Sequence, residues 1–193
     1  MEVDQRKFKL IVIGGSLGGV EAVMYMLSKL KPDIKIPIVI LMHQMKNAGS
    51  LMTEIFQHRT KLIVKEPNDK EKFLPSHIYI APPDFHLMIE CDDTFSYTVS
   101  EPVNHSRPSI DVLFESAAEA VKEKLAAILL TGASSDGAYG MKKIKDHGGY
   151  TIVQNPATAK SSFMPQSAIN MTPIDCIENL ENITQLINNL NHE

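Results

Sequence analysis

Unbroken apolar runs and amphipathic segments take turns along most of this chain. The first run, residues 10–13, has no polar alternation, as expected of a strand buried on both faces; behind it Val20, Val23, Met24, Leu27 and Leu30 recur at helical spacing until Pro32 stops the helix. Residues 36–42 form a second apolar run, so the first 43 residues predict one βαβ unit whose right-handed crossover makes its two strands parallel and adjacent. A helix is predicted over 50–59 and a short strand over 62–64. Between Phe73 and Val99 the rhythm changes. Three short segments, 77–80, 86–89 and 95–99, are divided by Pro82-Pro83-Asp84 and Asp92-Asp93, which predicts an antiparallel hairpin excursion attached to a parallel sheet.

The parallel rhythm then resumes. Ser109 stands as an N-cap before Ile110, Leu113, Phe114, Ala117, Ala118 and Val121, and 125–130 is the next buried run. A helix reaching Asp146 ends at Gly148-Gly149, 150–153 is a strand, and Met164-Pro165-Gln166 opens a short helix. Residues 174–177 predict a last strand, with Leu180, Ile183, Leu186, Ile187 and Leu190 marking a terminal helix. Such alternation belongs to an α/β fold with a doubly wound, mostly parallel sheet, in which ligands sit beyond the carboxyl ends of the strands.

Composition narrows this picture without redirecting it. At 193 residues and 44% hydrophobic content, the chain suits one domain with a substantial core. A formal net charge of -4, with Lys and Arg scattered, gives no basic stripe to follow a nucleic-acid backbone. Cys91 and Cys176 are isolated, which indicates neither a disulfide framework nor a zinc site and fits a reducing compartment. The N-terminal residues are polar and no apolar run reaches about 18 residues, so a cytoplasmic protein without a membrane span is expected.

Candidate chemistry begins at Gly14-Gly15-Ser16-Leu17-Gly18-Gly19, where an apolar strand breaks into a helix. A serine on such a turn exposes its hydroxyl beside the unpaired N–H groups and positive dipole of the next helix. The motif taken alone leaves open a nucleophile, an anion-binding turn or a structural turn; the Walker A lysine and the dinucleotide glycine pattern are both missing. His43 follows the second predicted strand and Asp136 follows the 125–130 strand, which puts both on the same sheet edge as Ser16. Serine needs a base to take its proton, and the base needs a carboxylate to fix its tautomer, so Ser16, His43 and Asp136 form a candidate triad. The chain order Ser, His, Asp differs from that of an α/β-hydrolase. Structural readings compete at each position, with His43 as a surface or capping residue and Asp136 as a helix cap. His58, His77, His86, His105, His147 and His192 lack metal-ligand spacing and read as structural.

Several further segments keep the same order and spacing as a known family: Val64-Lys65-Glu66, Ile80-Ala81-Pro82-Pro83-Asp84-Phe85-His86, Arg107-Pro108-Ser109-Ile110-Asp111-Val112-Leu113-Phe114, Leu130-Thr131-Gly132-Ala133-Ser134-Ser135-Asp136-Gly137-Ala138 and Met164-Pro165-Gln166-Ser167-Ala168. With the glycine-rich turn and His43, they resemble the catalytic domain of the CheB chemotaxis methylesterases. The resemblance implies a three-layer α/β/α domain over 1–193 that hydrolyses glutamyl methyl esters on the cytoplasmic helical bundle of chemoreceptors, with deamidation of glutamines as a companion activity. It implies no metal or organic cofactor; family members usually carry an N-terminal receiver domain, and since the sequence starts almost at the first catalytic strand none is expected within it, the chain being either an excised domain or a stand-alone member.

Under that resemblance Leu17 and Ala133 are candidate oxyanion donors, Met164 a pocket residue and Arg107 a contact for an acidic helix face. The chain departs from the family pattern at Leu17, where threonine is usual, and in Met42-His43-Gln44-Met45, Gly132-Ala133-Ser134 and Phe163-Met164-Pro165-Gln166. These departures keep alive a second expectation, a binding module with an impaired pocket, and the glycine-rich turn a third, a phosphate-binding α/β domain.

Overall fold

The computed structural model describes residues 7–43 and 51–190. The strands are β1 (Leu10–Gly15), β2 (Ile38–Met42), β3 (Ile63–Lys65), β4 (His77–Ile80), β5 (His86–Ile89), β6 (Phe95–Thr98), β7 (Leu125–Leu129), β8 (Tyr150–Gln154) and β9 (Cys176–Glu178). The helices are α1 (Gly19–Leu27), α2 (Leu51–Gln57), α3 (Ile110–Val121), α4 (Ala138–Asp146), α5 (Phe163–Met171) and α6 (Leu180–Asn189). Seven strands pair in parallel in the order β3-β4-β2-β1-β7-β8-β9, and β5 with β6 makes a separate antiparallel pair.

Successive strand residues feed two different cores because side chains alternate across a sheet. Ile11, Ile13, Ile38, Ile40, Ile78 and Ile80 pack with α1, α2 and α6 on one face. Leu10, Val12, Val39, Leu41 and Tyr79 pack with α3, α4, α5 and the β5–β6 pair on the other. Burying each such side chain contributes about 1.5–3 kcal/mol, which is why the strands read as unbroken apolar runs. The result is a three-layer α/β/α arrangement. No helix among the described residues is long and apolar enough to cross a membrane.

The expected βαβ unit is present, with β1 and β2 parallel and in register from Ile11↔Ile38 to Gly15↔Met42. One expectation needs correcting. Residues 77–80 are not part of the antiparallel excursion; β4 lies parallel between β2 and β3 in the main sheet. Its Ile78 and Ile80 face one core and Tyr79 the other, the signature of a doubly buried strand that the following Pro82-Pro83 turn disguised.

Smaller differences have local causes. Helix α1 stops at Leu27, well before Pro32, and Leu30 packs on the core from outside the helix. Helix α2 ends at Gln57, whose side-chain amide accepts from Val64 N–H at 2.9 Å and donates to the Leu62 carbonyl at 3.0 Å, locking the chain into β3. Strand β9 starts at Cys176 because the Asp175 carboxylate is held by the Thr151 N–H and hydroxyl. Ser50, Gln44, Met45 and His192 lie outside the described residues.

Candidate active site

The chain leaves β1 toward β2 on one side and later returns to β7 on the other, so the C-terminal end of β1 is the topological switch point of the sheet. Connections diverge there and leave a crevice. Ser16 follows β1 directly. Its N–H donates to the Thr131 carbonyl at 3.0 Å, and the His43 N–H donates to the Gly15 carbonyl at 3.1 Å. Continuing the β1–β2 register one step sets His43 beside Ser16, about 4.8 Å away at the backbone by strand spacing. Thr131 also donates from its hydroxyl to the Leu17 carbonyl at 2.9 Å, which binds the serine turn to the β7 loop. The turn itself needs Gly18, which caps α1 at φ 81, a left-handed conformation that side chains disfavour.

Asp136 stands two residues ahead of α4 and is fully buried. Five donors converge on its carboxylate. Oδ2 accepts from His43 Nε2 at 2.7 Å and Ile110 N–H at 2.7 Å; Oδ1 accepts from the Ser109 hydroxyl at 2.7 Å, Asp111 N–H at 3.1 Å and Asn104 Nδ2 at 3.1 Å. Burial works to raise the Asp136 pKa, but the hydrogen bonds from His43, Ile110, Ser109 and Asn104 outweigh it and hold the carboxyl below its usual value. An ionised carboxylate only accepts, so His43 Nε2 carries the proton and Nδ1 keeps its lone pair in the neutral ring.

The capping pattern is exchanged between helices. Ser109 occupies the N-cap position of α3 but makes no side-chain cap; Asp136 caps that helix instead, through Ile110 and Asp111 N–H. In return Asp111, in the first turn of α3, accepts from Gly137 N–H at 2.9 Å and Gly140 N–H at 2.7 Å at the start of α4. Thus Asp136 is a helix cap and the partner of His43 at once. His86, fully buried, accepts at Nδ1 from Ser109 N–H and faces the Glu101 carbonyl through Nε2, each at 3.2 Å.

A cleft of about 310 Å³ opens at His43, walled by Asp84, His105 and Arg107 among others. Arg107 Nη1 donates to the carbonyls of Val99 and Ser100 at 3.0 and 3.1 Å, so among the described residues this guanidinium is braced by backbone rather than by an acidic side chain. Leu17, 54% exposed, and Ala133, also exposed, sit on the turns flanking Ser16. Met164 is fully buried, its N–H is spent on the Gly132 carbonyl at 2.9 Å, and its side chain fills the space that a Cβ on Gly132 would need. It supports the 131–133 loop from below. Among the described residues no group of His, Cys, Asp and Glu could hold a metal ion.

Asn104, Asp111 and Thr131 enter the site without having been singled out from the sequence. Ser109-Ile110-Asp111 carries the pattern of two acceptors at a helix start, which could have flagged Asp111. Asn104 lies in a polar loop that offers no such signal.

An imidazole fixed by a buried carboxylate thus stands one strand away from a serine on the glycine-rich turn between β1 and α1, at the switch point of a doubly wound α/β sheet. Comparison with known proteins narrows the class. The family model for CheB methylesterase matches residues 11–187, and the chain belongs to that family, a family of hydrolases. A relative from Leptospira interrogans is 45% identical over 179 residues, 93% of either chain. The protein-glutamate methylesterase/protein-glutamine glutaminase of Pectobacterium atrosepticum is 36% identical over 181 residues, which span 92% of this chain and 51% of that protein. The crystal structure of the Thermotoga maritima CheB methylesterase catalytic domain superposes with a TM-score of 0.90 at 31% identity, covering 96% of this chain and 100% of that one.

Proposed function

We propose that this protein is a protein-glutamate methylesterase that hydrolyses glutamyl methyl esters on the methylated cytoplasmic domain of chemoreceptors, and that it also deamidates glutamine side chains there. Ser16 is the nucleophile, His43 the general base and Asp136 the carboxylate that orients it. The observation that carries this reading is the 2.7 Å bond from His43 Nε2 to an Asp136 carboxylate already held by other donors.

That bond makes His43 Nδ1 the working nitrogen, so the two ring atoms exchange the roles they have in chymotrypsin-like enzymes. Ser16 Oγ attacks the ester carbonyl carbon and its proton passes to Nδ1. The tetrahedral intermediate collapses, the carbonyl–methoxy bond breaks, and Nδ1–H protonates the departing methoxide to methanol. Water, deprotonated by Nδ1, then attacks the acyl-serine and releases glutamate and Ser16. With a glutamine side chain the leaving group is ammonia. The oxyanion needs aimed donors that are not already paired. Among the described residues the N–H groups of Leu17 and Ala133 have no internal acceptor, whereas those of His43, Gly19 and Gly132 are taken. Arg107, which lines the cleft, meets an acidic face of the receptor helix in this reading. The reaction as written uses no metal or organic cofactor, and it belongs in the cytoplasm, where the receptor helices lie.

Methanol release from a methyl-esterified receptor fragment tests the assignment. Ser16→Ala is expected to lose about 10³-fold or more in kcat with an unchanged fold. A variant as active as wild type would overturn it.

A further inference from the structure

The cleft wall hangs from the same buried joint that holds Asp136. Val103 and Ser106 close a tight turn by reciprocal backbone bonds of 3.1 and 2.9 Å, and its central residues Asn104 and His105 both have positive φ, 50 and 63. A two-residue turn of this hand favours asparagine first. From it Asn104 Nδ2 reaches inward and divides its two protons between carboxylates, Asp111 Oδ2 at 2.7 Å and Asp136 Oδ1 at 3.1 Å. His105, Ser106, Arg107 and Pro108, next along the chain, line the cleft with His43.

We propose that Asp111 and Asn104 are positioning residues for the esterase reaction: the Asp111 carboxylate, through the Asn104 amide, clamps the 102–108 segment onto Asp136 and so sets the cleft wall and the imidazole–carboxylate pair in one register. This rests on the proposed function. Asp111 itself is anchored by Gly137 and Gly140 N–H, so the clamp is referred to the start of α4.

The joint has a protonation requirement. Asp111 Oδ1 already accepts two N–H groups, so an added proton belongs on Oδ2, where it would face the Asn104 amide donor against donor. Burial pushes the Asp111 carboxyl up to about 6, with the Asp136 charge adding to the shift against its N–H donors. Asp136 faces it from the turn before α4, and His86 of β5 lies across Ser109. The charges of α4 are occupied elsewhere, Lys143 near Glu115, Lys142 with Asp146 and Lys145 with Asp175.

The test compares wild type, Asn104→Gly and Asp111→Asn. Glycine accepts the backbone of position 104 and removes only the amide. Both variants are expected to lose about 10- to 100-fold in kcat. More tellingly, the acid limb of kcat/KM is expected to steepen in wild type below pH about 6 as Asp111 takes up its proton, and to be a single-ionisation limb in both variants. A variant with the wild-type limb overturns the proposal, and if Asp111→Asn fails to fold, Asn104→Gly carries the test alone. NMR separates this from failure of the esterase reading. In Asn104→Gly the amide signals of 105–107 and of Asp136 shift and the His43 Nε2 proton exchanges faster, whether or not ester is hydrolysed; an unchanged His43 Nε2 exchange rate overturns the clamp.

Discussion

Two helix N-termini meet the same sheet edge and are used in opposite ways. Each carries roughly half a positive charge and several unpaired N–H groups. That of α3 is filled: the Asp136 carboxylate sits on Ile110 and Asp111 N–H. That of α1 has no side-chain cap, only Gly18. Its first-turn acid, Glu21, is paired outward with Lys160 at 3.2 Å. The carboxylate at α3 anchors the imidazole, while the end of α1 is left without a side-chain cap. Under the proposed reaction, one terminus holds the base and the other receives the oxyanion.

The hardest way to break this contrast is to empty the filled terminus. Asp136→Asn leaves a neutral amide whose NH2 group must face some of five donors. His43 then loses the acceptor that fixes its tautomer. Turnover is expected to fall about 10⁴-fold. Stability should fall by about 3 kcal/mol, because buried donors are left without a charged partner. Methanol-release kinetics and urea unfolding check the two numbers separately. Activity within a few-fold of wild type would mean that α3 is capped for stability alone.

The two termini also differ in how far the sequence disclosed them. The α1 end is local: an apolar run, four glycines around Ser16 and a helical repeat lie within 21 residues, 10–30, and the β1–β2 register that brings His43 alongside follows from the βαβ rule. The α3 end is assembled from Asn104, Ser109, Asp111 and Asp136, drawn from two crossovers. Propensity reads Ser109 as an N-cap, and it is one by position. Its hydroxyl nonetheless goes to Asp136, because a carboxylate arriving from the α4 turn satisfies the helix better than the local side chain. Strand β4 hides from the sequence for a related reason: the prolines that flank it suggest a hairpin, whereas its burial on both faces depends on β2 and β3 beside it.

A milder break closes the open terminus. In Gly18→Ala the new methyl group would enter a backbone at φ 81 and meet Lys160 Cβ and Cδ at 2.8 Å. The turn can relieve this only by rotating, which re-aims the Leu17 N–H just ahead of α1. About 1–2 kcal/mol of stability is expected to go. The expected loss in kcat is about 10²-fold, with KM little changed, since donors aimed at an oxyanion act in the transition state. A rise in KM at constant kcat would show instead that α1 helps hold the ground-state substrate.

A third helix N-terminus, that of α4, is also filled by a carboxylate. Helix α4 is capped by Asp111 as α3 is capped by Asp136, yet the two carboxylates titrate in opposite directions. Asp136, with His43 and Ser109 among its donors, is lowered. Its stabilisation is present above the unfolded-state pKa and disappears as pH falls through the folded one. Asp111, shifted by burial first and its neighbour's charge after, is raised to about 6. Its folded form holds the proton more tightly than the unfolded chain, so the gain is complete below the unfolded pKa of about 3.9 and is lost as pH rises through about 6. Replacing Asp111 by asparagine removes that titration. The stability of wild type relative to Asp111→Asn should therefore decline by about 1–3 kcal/mol between pH 4 and 7, read as the difference of two urea unfolding series. A difference independent of pH would place the proton on another group and make the two capping carboxylates equivalent.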